Sequence, residues 1–212
     1  MHRRIRIRSV ALVAALLALT LPLSSMQASS PRVVDPDSLS PALNPHFAPY
    51  DCWEVGGGSI CRGSVEESHE PSVMDWFTCD DQTIYVSSRE RQQITRWHDA
   101  DGNATNTILD TEFVDVFSLD PTVADPSVTV FSRVTKHYDY LIPGDRDSRV
   151  MRQTGASFVR SSEGGVIARE AGWIEYEPGL EDEVIADYRG PKDVVEDFDG
   201  FVEAVCAALS DA

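Results

Sequence analysis

Lysine is all but missing from this chain: Lys136 and Lys192 are its only representatives in 212 residues. Arginine therefore supplies nearly all of the positive charge. Acids outnumber the two bases 35 to 18, for a formal net charge of −17. A field of that sign repels polyanions, which excludes a nucleic acid and points, if to any charged partner, to a cationic one. Closely paired cysteines are also missing, and with them the usual Cys-x-x-Cys spacing of a zinc site. No Gly-x-Ser-x-Gly elbow occurs, so a serine nucleophile of the α/β-hydrolase kind has no seat. After the first 28 residues no apolar run reaches the length needed to cross a bilayer.

What is present begins with an export signal. Arg3, Arg4, Arg6 and Arg8 form a positive leader, Val10 to Leu23 an apolar run too short to span a membrane, and Ser24 to Ala28 a small-residue exit. Residues 1–28 thus read as a signal peptide, and the protein as secreted, with no membrane insertion once the signal is removed. Ile5-Arg6 lacks the apolar pair expected after twin arginines, which favours the general secretory route. Removal deletes four arginines and no acid, leaving the exported chain more acidic still. The roughly 180 residues that remain suffice for one domain with a real core. Nothing in them signals an oligomeric state.

Export turns the four cysteines from reactive thiols into staples. Three pairings are possible. Gly56-Gly57-Gly58 lets the chain double back between Cys52 and Cys61. Cys79 neighbours the core candidates Trp76 and Phe77, and Cys206 borders an apolar helical stripe. The expected bonds are Cys52–Cys61 and Cys79–Cys206.

Residues 29–49, rich in Pro, Ser and Asp, read as a disordered leader, and 50–212 as a single β-rich domain. Period-two alternation predicts strands over Tyr50–Val55, Ser59–Val65, Val73–Cys79, Gln82–Ser87, Gln92–His98, Thr105–Phe117, Val128–Leu141, Arg149–Arg160 and Val166–Glu177. In Val128–Leu141 one face presents Val128, Val130, Val134, Tyr138 and Tyr140. The other presents Thr129, Arg133, Thr135, His137 and Asp139. Asp99–Asn103 and Ser161–Gly165 carry the glycine steps that close hairpins, so successive strands pair with their neighbours. From Pro191 to Ser210 the pattern turns helical: Val194, Val195, Phe198, Phe201, Val202, Val205 and Leu209 share one face. The expected fold is dominated by β structure, at the margin of α+β. It is an antiparallel β-meander forming a curved sheet or incomplete barrel, covered by one C-terminal α-helix over residues 191–210.

Four groups of residues bear on chemistry. Asp99, Asp101 and Asn103 offer alternating oxygen ligands as calcium loops do, although the glycine falls early and no closing Glu follows; an Asp-Gly turn explains the same residues. His137 and Asp139 share a strand face and form half of a general acid–base pair, or simply a polar cross-strand pair. Glu175 and Glu177 share another face beside Trp173, as a glycosidase or sugar-binding surface would display, and as an acidic protein displays by chance. Trp97, Tyr138, Tyr140 and Trp173 are candidates to line the mouth of a curled sheet.

The Cys79 strand, the Asp-x-Asp-Gly-Asn turn at 99–103, Gln153-Thr154-Gly155, the hairpin from Gly164-Gly165 to Gly172 and the Val-Cys-x-x-Leu ending at Leu209 occur in that order. Together they resemble uncharacterised secreted β-rich proteins of high-GC Gram-positive, actinobacterial type. The resemblance implies an export route and a β-meander with a terminal helix, and no site residues. The expected function is an exported, disulfide-stapled, non-catalytic β-domain that binds an extracellular ligand or partner at a concave sheet face. Two alternatives stand beside it: a small secreted hydrolase using the carboxylates and His137, and a calcium-stabilised extracellular module. No other cofactor is called for.

Overall fold

A computed structural model describes residues 32–75, 77–178, 185–191 and 197–210. The signal segment, Trp76, Val194 and Val195 lie outside the described residues. Eight antiparallel strands follow one another in a single open sheet, in chain order from first to last. They are β1 (Asp51–Val55), β2 (Gly58–Val73), β3 (Tyr85–His98), β4 (Ala104–Ser118), β5 (Ser127–Tyr140), β6 (Arg149–Ser161), β7 (Val166–Tyr176) and β8 (Ile185–Arg189). A C-terminal helix, α1 (Phe198–Ser210), completes the fold. No described helix is long and apolar enough to cross a membrane.

Local chemistry explains the turns. Gly56 and Gly57 both take positive φ between the paired residues Val55 and Gly58, as a two-residue hairpin turn of the right twist requires. That turn sets Cys52 directly opposite Cys61, and the two are disulfide-bonded with Cα atoms 4.1 Å apart. Gly155 and Gly172 are cross-strand partners on β6 and β7. A Cβ on Gly155 would stand 2.3 Å from the Arg133 carbonyl oxygen, and one on Gly172 1.8 Å from that of Arg189. Only glycine lets the backbones approach that closely.

One face of the sheet is covered and the other open. The covered face is packed at both ends, apolar under the helix and mixed apolar and polar at the other. At one end Phe117, Val128, Val159 and Ala168 meet Phe201, Val205 and Leu209, which recur every four residues along α1. Asp197 caps the helix, accepting the Gly200 N–H at 2.9 Å. Cys79 is bonded to Cys206 with Cα atoms 5.3 Å apart, tying α1 to the chain before β3.

At the opposite end the cover is residues 33–50. Their expected disorder does not hold. Val34 N–H donates to the Cys52 carbonyl and Glu54 N–H to that of Arg32, so the segment pairs along the outer edge of β1. Leu39 and Phe47 are buried. Prolines and aspartates, read as signs of disorder, instead start 3₁₀ turns: Asp35 and Asn44 side chains cap the turns that begin at Pro36 and Pro45.

Three strand expectations also change. Residues Val73–Cys79 form no separate strand among the described residues: β2 ends at Val73, and Cys79 opens a tight turn with Asp80 and Asp81 at positive φ. Gln82–Ser87 and Gln92–His98 meet in one strand, β3, which runs through Arg89-Glu90-Arg91 because those residues are paired without a break to β2 on one side and β4 on the other. β8 was not anticipated; it is a short edge strand after an acidic stretch with no alternation.

Candidate functional site

The N-terminal cover and the sheet flank an open cavity of about 520 Å³, a size typical of small-molecule sites. Ile94 of β3, Leu109 of β4 and Tyr138 of β5 form its floor, and Leu43 and Phe47 stand over it. These apolar positions follow from strand period: Ile94, Leu109 and their register partners all point to the covered face. Tyr140, Arg146 and Arg149 close the remaining side. None of the described residues lining the cavity is acidic.

The polar groups are unusual for a buried place. Arg96 is 5 % exposed. Its Nη2 donates to the Pro41 carbonyl at 2.5 Å and its Nη1 to that of Ala42 at 3.2 Å, while Nε finds no partner. Arg146 Nη2 donates to the same Ala42 oxygen at 3.3 Å. Arg149 Nε donates to the Arg146 carbonyl at 2.9 Å, and its guanidinium lies 5.3 Å from the Tyr138 ring centre and 6.0 Å from that of Tyr140. Burial lowers the pKa of Arg96 from the ordinary arginine value. Tyr140 and Tyr50 oppose that effect, and the neighbouring cations Arg146 and Arg149 add to it. Thr107, cross-strand partner of Arg96, has a buried hydroxyl without a partner. Burial raises the Tyr50 phenol above its usual value.

The residues singled out in the sequence divide between the faces. Tyr138 and Tyr140 line the cavity. Trp97 and Trp173 occupy register positions on the open face, Trp173 with the Arg189 guanidinium 5.3 Å from its ring centre. His137, Asp139 and Glu175 also share the open face, where Arg152 joins both acids: Nη2 to Asp139 at 2.8 Å and Nε to Glu175 at 3.2 Å. Asn106 Nδ2 donates to the other Asp139 oxygen at 2.6 Å. Both Asp139 oxygens are thereby engaged, on an exposed surface rather than in a cleft. Glu177 lies past the end of β7, exposed.

In the β3–β4 turn, Asp99 Oδ1 accepts the N–H groups of Asp101 (3.0 Å) and Asn103 (2.8 Å), and Oδ2 lies 3.4 Å from Asn103 Nδ2. Those bonds hold the Asp99 carboxyl below its usual range. The carboxylate serves the turn. Among the described residues no group of three or more His, Cys, Asp or Glu is placed to hold a metal ion.

Ser59 and His98 form a contact that sequence reading passed over, with Oγ and Nδ1 3.3 Å apart. Burial, and then the Arg96 charge, depress the His98 pKa to about 4. An imidazole so depressed is a poor base near neutrality, and its Nε2 has no partner to orient it.

Arg96, Thr107, Arg146 and Arg149 were likewise missed. The available signal was parity: Arg96 alternates with Ile94 and His98, so a charged residue sits where its strand points inward. Compared with protein-family models, with curated proteins and with solved structures, the chain matches none. The class defined by the fold is an open antiparallel β-meander, disulfide-bonded at both ends, with a cleft beneath its N-terminal cover.

Proposed function

We propose that this is an exported binding module that holds a small ligand, without transforming it, in the cavity beneath residues 42–47. One observation carries the reading: a cavity of about 520 Å³ with an apolar and aromatic floor and a few convergent polar groups. Export is supported by the leader composition and by the two disulfide bonds. Among the described residues the cavity lining holds no carboxylate, cysteine or histidine; its hydroxyl groups belong to Thr107, Tyr138 and Tyr140.

The test uses N-phenyl-1-naphthylamine, an uncharged dye that brightens in apolar surroundings. The expected result is saturable one-to-one binding that disappears in Leu109→Trp and in Leu43→Trp. The two variants fill the cavity from the sheet side and the cover side. Thermal unfolding of each establishes that it is folded. Binding that is unsaturable, or that survives in a folded cavity-filled variant, would end the proposal.

A further inference from the structure

We infer that the ligand of this cavity is an organic anion, with an apolar body over Ile94 and Leu109 and an acidic headgroup held by Arg146 and Arg149 beside the buried Arg96. The inference rests on the cavity being a binding site and adds the chemistry of what binds.

Three observations converge. First, arginines gather where the rest of the molecule would place acids. In a chain of net charge −17, three guanidinium groups border one cavity whose described lining holds no carboxylate. The field of the whole protein repels an anion, so a local preference for one has to be built, and these side chains build it. Second, Arg96 and Arg146 both donate to a single carbonyl oxygen, that of Ala42. Two cations sharing one neutral acceptor repel each other, and an anion beside them removes that repulsion while accepting from the donors that remain. Third, Arg96 and Thr107 are 5 % and 6 % exposed, and each retains a buried polar atom with no partner, Nε in one and Oγ1 in the other. A buried cation lacking a counter-charge among the described residues is costly to hold and is retained most readily where a ligand supplies the charge. Burial first, and the Arg146 and Arg149 charges after it, lower the Arg96 pKa.

The cavity also specifies the body. Ile94, Leu109, Leu43 and Phe47 present carbon to it, so inorganic phosphate or sulfate would leave most of the space unfilled. An aliphatic or aromatic acid of about ten carbons uses both halves.

Decanoate and 1-decanol, matched in chain and differing in charge, are titrated against the protein carrying N-phenyl-1-naphthylamine. Wild type should release the dye to decanoate at concentrations at least tenfold lower than to decanol, and added salt should weaken decanoate alone. In Arg146→Gln and in Arg149→Gln the preference for the acid should fall about tenfold, read as the ratio of the decanoate and decanol curves within each variant because both side chains also line the cavity. Four results are decisive. Dye binding with decanoate no better than decanol overturns the anion and leaves the binding reading intact. No dye binding overturns the binding reading, and this inference with it. A preference for decanoate that neither arginine variant reduces overturns the assignment of the headgroup to these residues. A preference that falls about tenfold in the arginine variants, measured against decanol in the same variant, supports it.

Discussion

The two ends of the covered face are built on opposite principles. Beneath α1, Ile84, Val128, Val205 and Leu209 are each at most 1 % exposed, and the buried hydroxyls beside them, those of Ser118 and Ser127, both have hydrogen-bond partners. Beneath the N-terminal cover the buried set includes Arg96, His98 and Thr107. Among the described residues, every buried side-chain polar atom without a partner lies at this second end: Arg96 Nε, His98 Nε2 and Thr107 Oγ1. Each such atom costs about 1–3 kcal/mol in a finished core. Among the described residues these atoms gather at one end alone, where the proposed ligand would meet them. One end is a core and the other the proposed site.

That contrast fails most visibly if the wrong end proves to hold the fold together. Replacing Cys79 and Cys206 with alanine opens a closure spanning 127 residues and should lower unfolding stability by about 5 kcal/mol in the chain-entropy model. Replacing Cys52 and Cys61, separated by 9, should cost less, about 3 kcal/mol. Urea titration of both variants ranks them, and the reverse order would mean that the N-terminal end is the stabilising one. Leu209→Ala should remove about 3 kcal/mol, since a fully buried leucine leaves a cavity its neighbours fill poorly. Arg96→Met should change stability by no more than about 1 kcal/mol in either direction, because the methionine loses a desolvated charge as well as two hydrogen bonds. It should also abolish preferential acid binding. A large loss of stability in Arg96→Met would make Arg96 part of the core and erase the distinction.

The core end was legible in the sequence and the site end was not. Phe201, Val205 and Leu209 announce themselves at helical spacing, and Val128, Val130 and Val134 at strand spacing, because apolar burial is a periodic signal. Cys52 and Cys61 could be paired from the three glycines between them. The long polar half of β2, Glu66 to Val73, has no such period: it is held by pairing with β3, and its register shift lies between His69 and Ser72, beside Pro71. Residues 33–50 were hidden by composition, since the prolines that suggest disorder also begin capped 3₁₀ turns. Of the site, only Tyr138 and Tyr140 were named in advance. Arg96 comes from one stretch and the near neighbours Arg146 and Arg149 from another, and the Ala42 carbonyl, shared by Arg96 and Arg146, brings the two together. Local pattern carries no information about such a meeting.

The smallest effect tests the same contrast through pH. His98 is held near 4 in the fold by burial and by the Arg96 charge, against about 6.5 in an unfolded chain. Between those values the unfolded state binds a proton that the folded state refuses. The neutral imidazole's contribution is therefore complete above pH 6.5 and fades as pH falls toward 4. His98→Gln removes the titration and keeps a polar side chain opposite Ser59. Melting temperature followed from pH 7 to pH 5, above most carboxylate titration, should fall in wild type and stay nearly level in the variant. Parallel curves would mean that His98 is as accessible to protons as a surface histidine. The N-terminal end would then be open to water around His98.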